Sequence, residues 1–481
     1  MTCFLLYSQD DVPAAPLLEK WPGGSGTLVT ERSELVVQWG DAGVSAHERH
    51  FVVLNTREAL ANAADDTIAS QMLGDIAIPY AGDNGGGIAT IRRYIAIVFQ
   101  QSVVGVYRSS GRRLWLNDRV REGEDKYEEI EVDPKMREMR RLRQYAVRSV
   151  YALGLDFAAV YVGVDVHGTM RVLRVAPTFT MTRSLAQKFV ACVEGFWHQY
   201  CTQNETITLG TDVEFVLRNP AGKLVLASDC FAKEGRVGCD RVWLRGDESR
   251  TCLPLAELRP APADDAKVLF KNLYQAMMSG VQKVGSTQIG WLSGGMPLLG
   301  YPMGGHMHFT GIAPTTQLLR ALDAYLALSV FMIESSHSLA RRPRYGQLGD
   351  MRMKAHGGFE YRTLPSFLAS PQIARGVLAL SHVIAYSYRE LRALPLLTPD
   401  LHHAFYRGER EAFTSLLPML WKELRHTDGY ARYASYLDPF ALHVLNRNEW
   451  SEHIDIRFAW KLPPFQPELA SAHRAYEHSM L

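Results

Sequence analysis

Cysteine is scarce in this chain of 481 residues: there are six, Cys3, Cys192, Cys201, Cys230, Cys239 and Cys252, and no C-x-x-C pair. That scatter argues against a disulfide framework or a thiolate zinc site and predicts reduced thiols in a cytoplasmic protein. An excess of charge is missing too. Lys and Arg number 52 against 51 Asp and Glu, a net charge of +1, which makes no electrostatic case for nucleic acid or a membrane surface as partner. No apolar run approaches the roughly 18–20 residues of a membrane helix. The opening MTCFLLYSQDDVPAAP has neither the basic flank nor the apolar length of a secretory signal. No repeat period or low-complexity tract is visible. What is present, 47% apolar and 21% charged residues, is the composition of a globular protein. At ~100–200 residues per domain its length fits roughly two to four domains.

The pattern divides the chain into residues 1–203, 204–395 and 396–481. In the first part SELVVQWGD, RRYIAIVFQ and SVVGVYRS read as strands, the last two adjacent. Arg121 to Glu131 reads as a solvated loop. Pro134 opens a helix in which Met136, Met139, Leu142, Tyr145, Ala146, Val150 and Leu153 recur at helical spacing, and Gly154 stops it. AAVYVGVDV and RVLRVAP follow as strands joined at His167-Gly168, and Ser184 is the expected cap of a helix running to about Tyr200. Arg137, Arg140, Arg141 and Arg143 read as a solvated helix face, offset by acidic residues just upstream. Residues 396–481 are helix-rich, show no core pattern of their own, and are expected to pack on the middle part.

The chemistry lies in that middle part. Strand side chains alternate faces with period two. In ITLGTDVEFVL, Leu209, Val213, Phe215 and Leu217 take one face, and Asp212 and Glu214 the other. Glu257 and Arg259 in LAELRP repeat that geometry, as do His306 and His308 in GGHMHFTG and Glu360 and Arg362 in GGFEYRTLP. Any one such pair is more often a wet strand face or a local ion pair of little value. Four together predict one face of an antiparallel sheet that stays open. Three Glu, one Asp and two His are hard-cation ligands suited to Mg²⁺ or Mn²⁺, and the two Arg suit bidentate gripping of phosphate or carboxylate.

The flanks fit. Gly304, Gly305 and Gly311 permit close approach around the His strand. RRPRYG brings Arg341, Arg342 and Arg344 into a loop, where phosphate contact and plain solvation are equally expected; His356 is a weaker candidate. DDAKVLFKNLYQAMMSG predicts a helix burying Val268, Leu269, Leu273, Ala276 and Met277. TTQLLRALDAYLALSVFMIESS is more apolar all round and should pack on the apolar side of the sheet.

GTDVEFVL, VGCDRV, LAELRP, GGHMHFTG, RRPRYGQLGD and GGFEYRTLPS, in this order, resemble the carboxylate–amine ligases related to glutamine synthetase and the glutamate–cysteine ligases. They look most like the phage- and Bacillus-type COOH–NH2 ligases, or amidoligases. The resemblance implies an α+β fold: a curved antiparallel glutamine-synthetase-like sheet with helices on its convex face. It also implies ATP and Mg²⁺ as cofactors. By motif it makes Asp212, Glu214, Glu257, His306 and Glu360 metal ligands, puts His308 near nucleotide, and has Arg362 hold the transferring phosphate. Arg362, Glu360 and Arg259 are then the candidate catalytic residues, with His308, Arg341, Arg342 and Arg344 as candidate nucleotide contacts. The first part is similar to ATP-grasp domains, on SELVVQWGDAG, HFVVLNTREALANAADD, RRYIAIVFQQSVVGVYR and ALGLDFAAVYVGVDVHGTMRVLRVAPT. Tyr161, Arg174 and Ala176 stand where that family keeps its metal ligands, and PYAGDNGGG is all that replaces a nucleotide-binding subdomain. This part therefore reads as a truncated, degenerate ATP-grasp-like domain.

The expectation is an ATP- and Mg²⁺-dependent ligase joining a carboxylate substrate to an amine acceptor. The acceptor could be an amino acid, a peptide, a cell-wall fragment or a protein side chain. Two alternatives stand beside it. A phosphotransferase on a guanidino-type substrate would need no amine, and an inactive binding scaffold would not turn over ATP.

Overall fold

The computed structural model describes residues 2–29, 33–44, 51–82, 90–109, 113–116, 119–122, 126–131, 133–202, 206–241, 253–286, 288–355 and 357–463. His356, Cys252 and most of the PYAGDNGGG stub lie outside them. The chain forms two compact units, residues 1–202 with 395–403, and residues 203–394 with 404–481. Among the described residues no helix is long and apolar enough to cross a membrane.

The first unit holds two main sheets. Gly24–Gly26, Cys3–Tyr7, Leu35–Trp39 and Val52–Leu54 lie side by side in parallel. Met170–Ala176, Phe157–Asp165, Thr90–Phe99, Ser102–Ser109 and Tyr127–Glu129 form an antiparallel sheet in that order. The strand at Tyr127–Glu129 falls inside the stretch expected to be loop. Its polar side chains hid it, but as an edge strand it needs only backbone pairing with Tyr107 to Ser109. The Arg137–Ala152 helix buries Met139, Leu142, Tyr145, Ala146 and Val150 as its periodicity requires, but Met136, expected in the same stripe, stands before its first turn and is 54% exposed. It ends where Gly154 takes a φ of +83°. The next helix, Arg183–Cys201, is capped by Thr182, whose hydroxyl accepts from the Leu185 amide; Ser184 lies inside it. Trp39, Phe99, Phe157 and Phe189 fill the core of this unit with edge-on and stacked rings. Within the same unit Asn62 donates to the Leu397 carbonyl at 2.9 Å, and the Asp75 carboxylate sits 3.0 Å from His402 Nδ1 and 2.7 Å from His403 Nδ1.

The second unit is built on an eight-stranded sheet. Its strand order is Val237–Asp240, Leu255–Leu258, Thr208–Arg218, Gly305–Thr310, Phe359–Tyr361 and Met351–Met353, and Leu224–Val225 and Gly290–Leu292 pair on the long central strand. Every pairing is antiparallel. The apolar face behaves as its alternation predicts. Phe215 stacks on Trp291 with ring centroids 4.6 Å apart, and Phe309 on Phe359 at 5.1 Å. The Ala266–Val284 helix covers this face, so closely at Gly280 that an added Cβ would lie 2.7 Å from the Trp291 indole. Leu269, Leu273, Ala276 and Met277 are buried as expected, but Val268 is 48% exposed. It lies off the buried stripe of Ala266, Leu269, Leu273, Ala276 and Met277, on the solvent side of the first turn. The largely apolar helix from Thr316 to Phe331 is buried except at Gln317 and includes a π-helical stretch, Leu322–Ala327.

Candidate active site

Register decides what meets on the open face. Asp212 is paired with His306, Gly210 with His308, and Glu214 with Glu257. His308 is paired with Glu360, and Glu360 in turn with Arg352. Gly238 pairs with Glu257, which puts Asp240, two residues on, on the same face. The structure thus brings Asp212, Glu214, Glu257, His306, His308 and Glu360 together across four neighbouring strands.

The side chains converge. Asp212 Oδ1 lies 2.8 Å from His306 Nδ1, and its Oδ2 3.0 Å from His308 Nε2. His306 Nδ1 is also 3.3 Å from Glu360 Oε1. The Gly304 amide donates to Glu214 Oε2 at 2.6 Å. A side chain at Gly304 would put its Cβ 2.3 Å from His306 Nε2, which explains the glycine before this strand. Glu360 is fully buried and ringed by bases: Arg352 Nη2 at 2.7 Å, Lys354 Nζ at 2.6 Å and Arg362 Nε at 3.1 Å.

Among the described residues two groups of donors lie close enough to share an ion, with ligand atoms within 4.8 Å of one another: Asp212, His308 and Glu360, and Glu214, Asp240 and Glu257. Carboxylate oxygens dominate both, as Mg²⁺ requires, and neither contains a thiolate. A cavity of about 310 Å³ opens over Asp212 and the second group. Asp212, Glu214, Asp240, Glu257 and His306 line its acidic side, and Arg241, Arg341, Arg352 and Arg362 supply cations.

The electrostatics follow from burial and partners. Burial alone would raise the Asp212 carboxyl, but the charge and hydrogen bond of His306, with His308, hold it well below the usual range. For Glu360, burial and the charge of Asp212 are outweighed by His306, Lys354 and Arg352, which lower it. Glu214 is raised by burial. Glu257 is pushed up to about 7 by burial and by the charge of Asp212, against the pull of Arg259. The His306 imidazole is raised by Asp212 and Glu214 in spite of its own burial.

The arginines divide. Arg362 reaches Glu360 and lines the cavity. Arg259 pairs with Glu257 and donates to the Lys233 carbonyl at 3.0 Å. Arg341 is 2% exposed, lines the cavity, donates to the Thr363 and Leu364 carbonyls, and is lowered to about 10 by burial. Arg342 is elsewhere. Its Nη2 lies 2.6 Å from Glu334 Oε1, its guanidinium packs over the Phe405 ring, and it does not line the cavity. Arg344 is exposed, with its guanidinium over the Tyr345 ring, and is likewise absent from the cavity wall. The phosphate contact entertained for these last two finds no support, because periodicity says nothing about where a loop side chain turns.

Asp240, Arg352 and Lys354 join the site without belonging to any of the four polar pairs. Asp240 has Gly238 as its same-face neighbour, so its strand carries one ionisable group instead of two. Arg352 and Lys354 did carry a signal: MRMK alternates apolar and basic residues with strand period.

A family model described as Phage phiEco32-like COOH.NH2 ligase-type 2 matches residues 209–462, more than half of the chain and all of this site. The chain belongs to that family. It is therefore an ATP-dependent carbon–nitrogen ligase. No curated protein matches it. Among solved structures it is similar to the ATP-grasp ligase PsnB complexed with minimal precursor, at 12% identity over 40% of this chain and 99% of that one, with a TM-score of 0.30. A bifunctional glutathione synthetase from Pasteurella multocida matches at 12% identity, 50% and 47% coverage and a TM-score of 0.32. The D-alanine–D-alanine ligase from Bacillus anthracis matches at 10% identity, 41% and 97% coverage and a TM-score of 0.31.

Proposed function

We propose that this ligase joins a carboxylate to an amine through an acyl phosphate, using ATP and Mg²⁺ at the open face of the eight-stranded sheet. One observation carries the reading. Asp212, the whole group of Glu214, Asp240 and Glu257, and four arginines line a single cavity on the sheet's polar face, with His308 and Glu360 beside Asp212. Phosphoryl transfer needs little else than clamping, charge neutralisation and alignment.

Glu214, Asp240 and Glu257 would hold one Mg²⁺, and Asp212, His308 and Glu360 a second. When bound, the ions would supply charge neutralisation at the phosphate oxygens. The rest falls to the chain. Arg362 would grip the γ-phosphoryl group through its planar fork, and Arg352 and Lys354 would turn from Glu360 towards the phosphates. A substrate carboxylate oxygen attacks the γ-phosphorus, the bond to the β-phosphate oxygen breaks, and ADP leaves. A neutral amine then attacks the acyl carbon, phosphate departs with the C–O bond pair, and the amine sheds its proton. His306, held by Asp212, would keep the second donor group in register.

The first unit is read as a non-catalytic, ATP-grasp-like remnant that presents substrate or aids assembly. In support, Tyr161 and Arg174 face each other in the sheet, with the guanidinium 5.5 Å from the ring centroid, and Ala176 is buried. None of these offers a metal ligand.

The test is ATP consumption by the purified chain with Mg²⁺ and pooled amino acids and peptides. ADP release that depends on both a carboxylate and an amine supports the reading. Release that needs no amine, or none at all, removes it.

A further inference from the structure

One buried carboxylate lies outside the cavity but is bonded to two segments that shape it. Asp323 is 3% exposed, inside the buried helix from Thr316 to Phe331. It sits in the π-helical stretch Leu322–Ala327, a local widening that often marks a functional position. A carboxylate in such surroundings is costly unless hydrogen-bonded. Its Oδ1 accepts from the Tyr361 hydroxyl at 2.6 Å and from the Gly349 amide at 3.0 Å.

Both partners adjoin site residues. Tyr361 lies between Glu360 and Arg362; strand alternation turns its ring to the helix and its neighbours to the open face. Gly349 precedes Asp350, which lines the cavity and whose carbonyl accepts from the Arg362 amide at 2.8 Å. A single oxygen thus ties the Glu360–Arg362 strand and the turn before Met351 to one fixed point in the core.

We infer that Asp323 is a positioning residue, which acts through Tyr361 and Gly349 to set Glu360, Arg362 and Asp350 for phosphoryl transfer. This rests on the ligase reading. A site group misplaced by about an ångström can lower turnover by a hundredfold without leaving the fold. A carboxylate needed only for stability would show its loss in melting and leave the folded enzyme's turnover alone.

The experiment compares wild type, Tyr361→Phe, Asp323→Asn and Asp323→Leu by kcat and KM for ATP in the consumption assay, with circular-dichroism melts alongside. Tyr361→Phe should stay folded and lose at least tenfold in kcat, with the ATP KM within threefold of wild type. Asp323→Asn keeps an acceptor oxygen and should retain more than a third of kcat; Asp323→Leu should lose at least as much as Tyr361→Phe. If Asp323→Leu fails to fold, Tyr361→Phe decides. A folded Tyr361→Phe within twofold of wild type in kcat overturns the inference and leaves the ligase reading intact. No ATP turnover by the wild type overturns that reading, and this inference with it.

Discussion

Asp212 and His306 face each other across adjacent strands, Oδ1 to Nδ1 at 2.8 Å, at the boundary between two unlike halves of one site. On one side Glu214, Asp240 and Glu257 outnumber their cations, Arg259 and the cavity-lining Arg241. On the other, Arg341, Arg352, Lys354 and Arg362 outnumber the carboxylates of Asp212, Asp350 and Glu360. A free divalent ion is attracted by the first half and repelled by the second, at separations where opposite charges interact by about 4 kcal/mol at an effective dielectric of 20.

Metal and nucleotide should therefore bind in order. Calorimetric titration with Mn²⁺ is expected to find one ion per chain without nucleotide, and two with a non-hydrolysable ATP analogue. The same titration should find one analogue per chain if the first unit binds none. Asp240→Asn should weaken the nucleotide-free ion at least tenfold. Two equivalent ions without nucleotide would contradict the charge argument.

The proposed first ion would compete with a proton on Glu257, whose carboxyl is pushed up to about 7. Its affinity should fall by up to tenfold for each pH unit below about 7. The metal-free protein has the opposite dependence. A carboxyl raised in the fold contributes stability that is fully present below its unfolded value of about 4.5 and lost as pH rises through about 7. Mg²⁺ should thus raise the melting temperature more at pH 8 than at pH 6, and an equal rise at both would remove Glu257 from the ion.

Arg362→Lys separates a phosphoryl grip from an ion pair. Lys keeps the charge but loses the bidentate fork. Losing a preorganised donor of this kind costs about 3–4 kcal/mol, or roughly a hundred- to a thousandfold in kcat, with little change in ATP KM. A kcat within threefold of wild type would leave Arg362 as the partner of Glu360 alone.

Arg342 gives the contrasting case. It and Glu334 form a pair whose side chains are 3% and 2% exposed. Removing one member strands the other, at a cost of about 3–5 kcal/mol. Arg342→Gln should lower the denaturation midpoint sharply, while the folded fraction binds Mn²⁺ and the ATP analogue as wild type does. Weakened nucleotide binding in the folded variant would place Arg342 in the site after all.

Much of the site was legible because strand alternation is strict. Once ITLGTDVEFVL is a strand, Asp212 and Glu214 must share a face, and the same holds for His306 with His308 and Glu360 with Arg362. Register was not legible, since it depends on pairing between distant segments. Nothing in GGFEYRTLP says that Glu360 lies beside His308, nor that Arg352 from the next strand would close on it. Loops were less legible still: Arg341 and Arg342 are neighbours in sequence, yet one lines the cavity and the other is locked to Glu334. Asp323 left a signal that periodicity discards, a lone acid in a largely apolar helix.

The most direct measurement is product analysis of the ATP-consuming reaction. The chain, Mg²⁺ and ATP are incubated with the active carboxylate pool, with and without the amine pool, and ADP and new masses are followed together. The account predicts amine-dependent ADP release matched mole for mole by a product weighing the sum of carboxylate and amine less one water, and none of it from Glu360→Gln. A phosphorylated product that accumulates without amine, or a fully active Glu360→Gln, would contradict it.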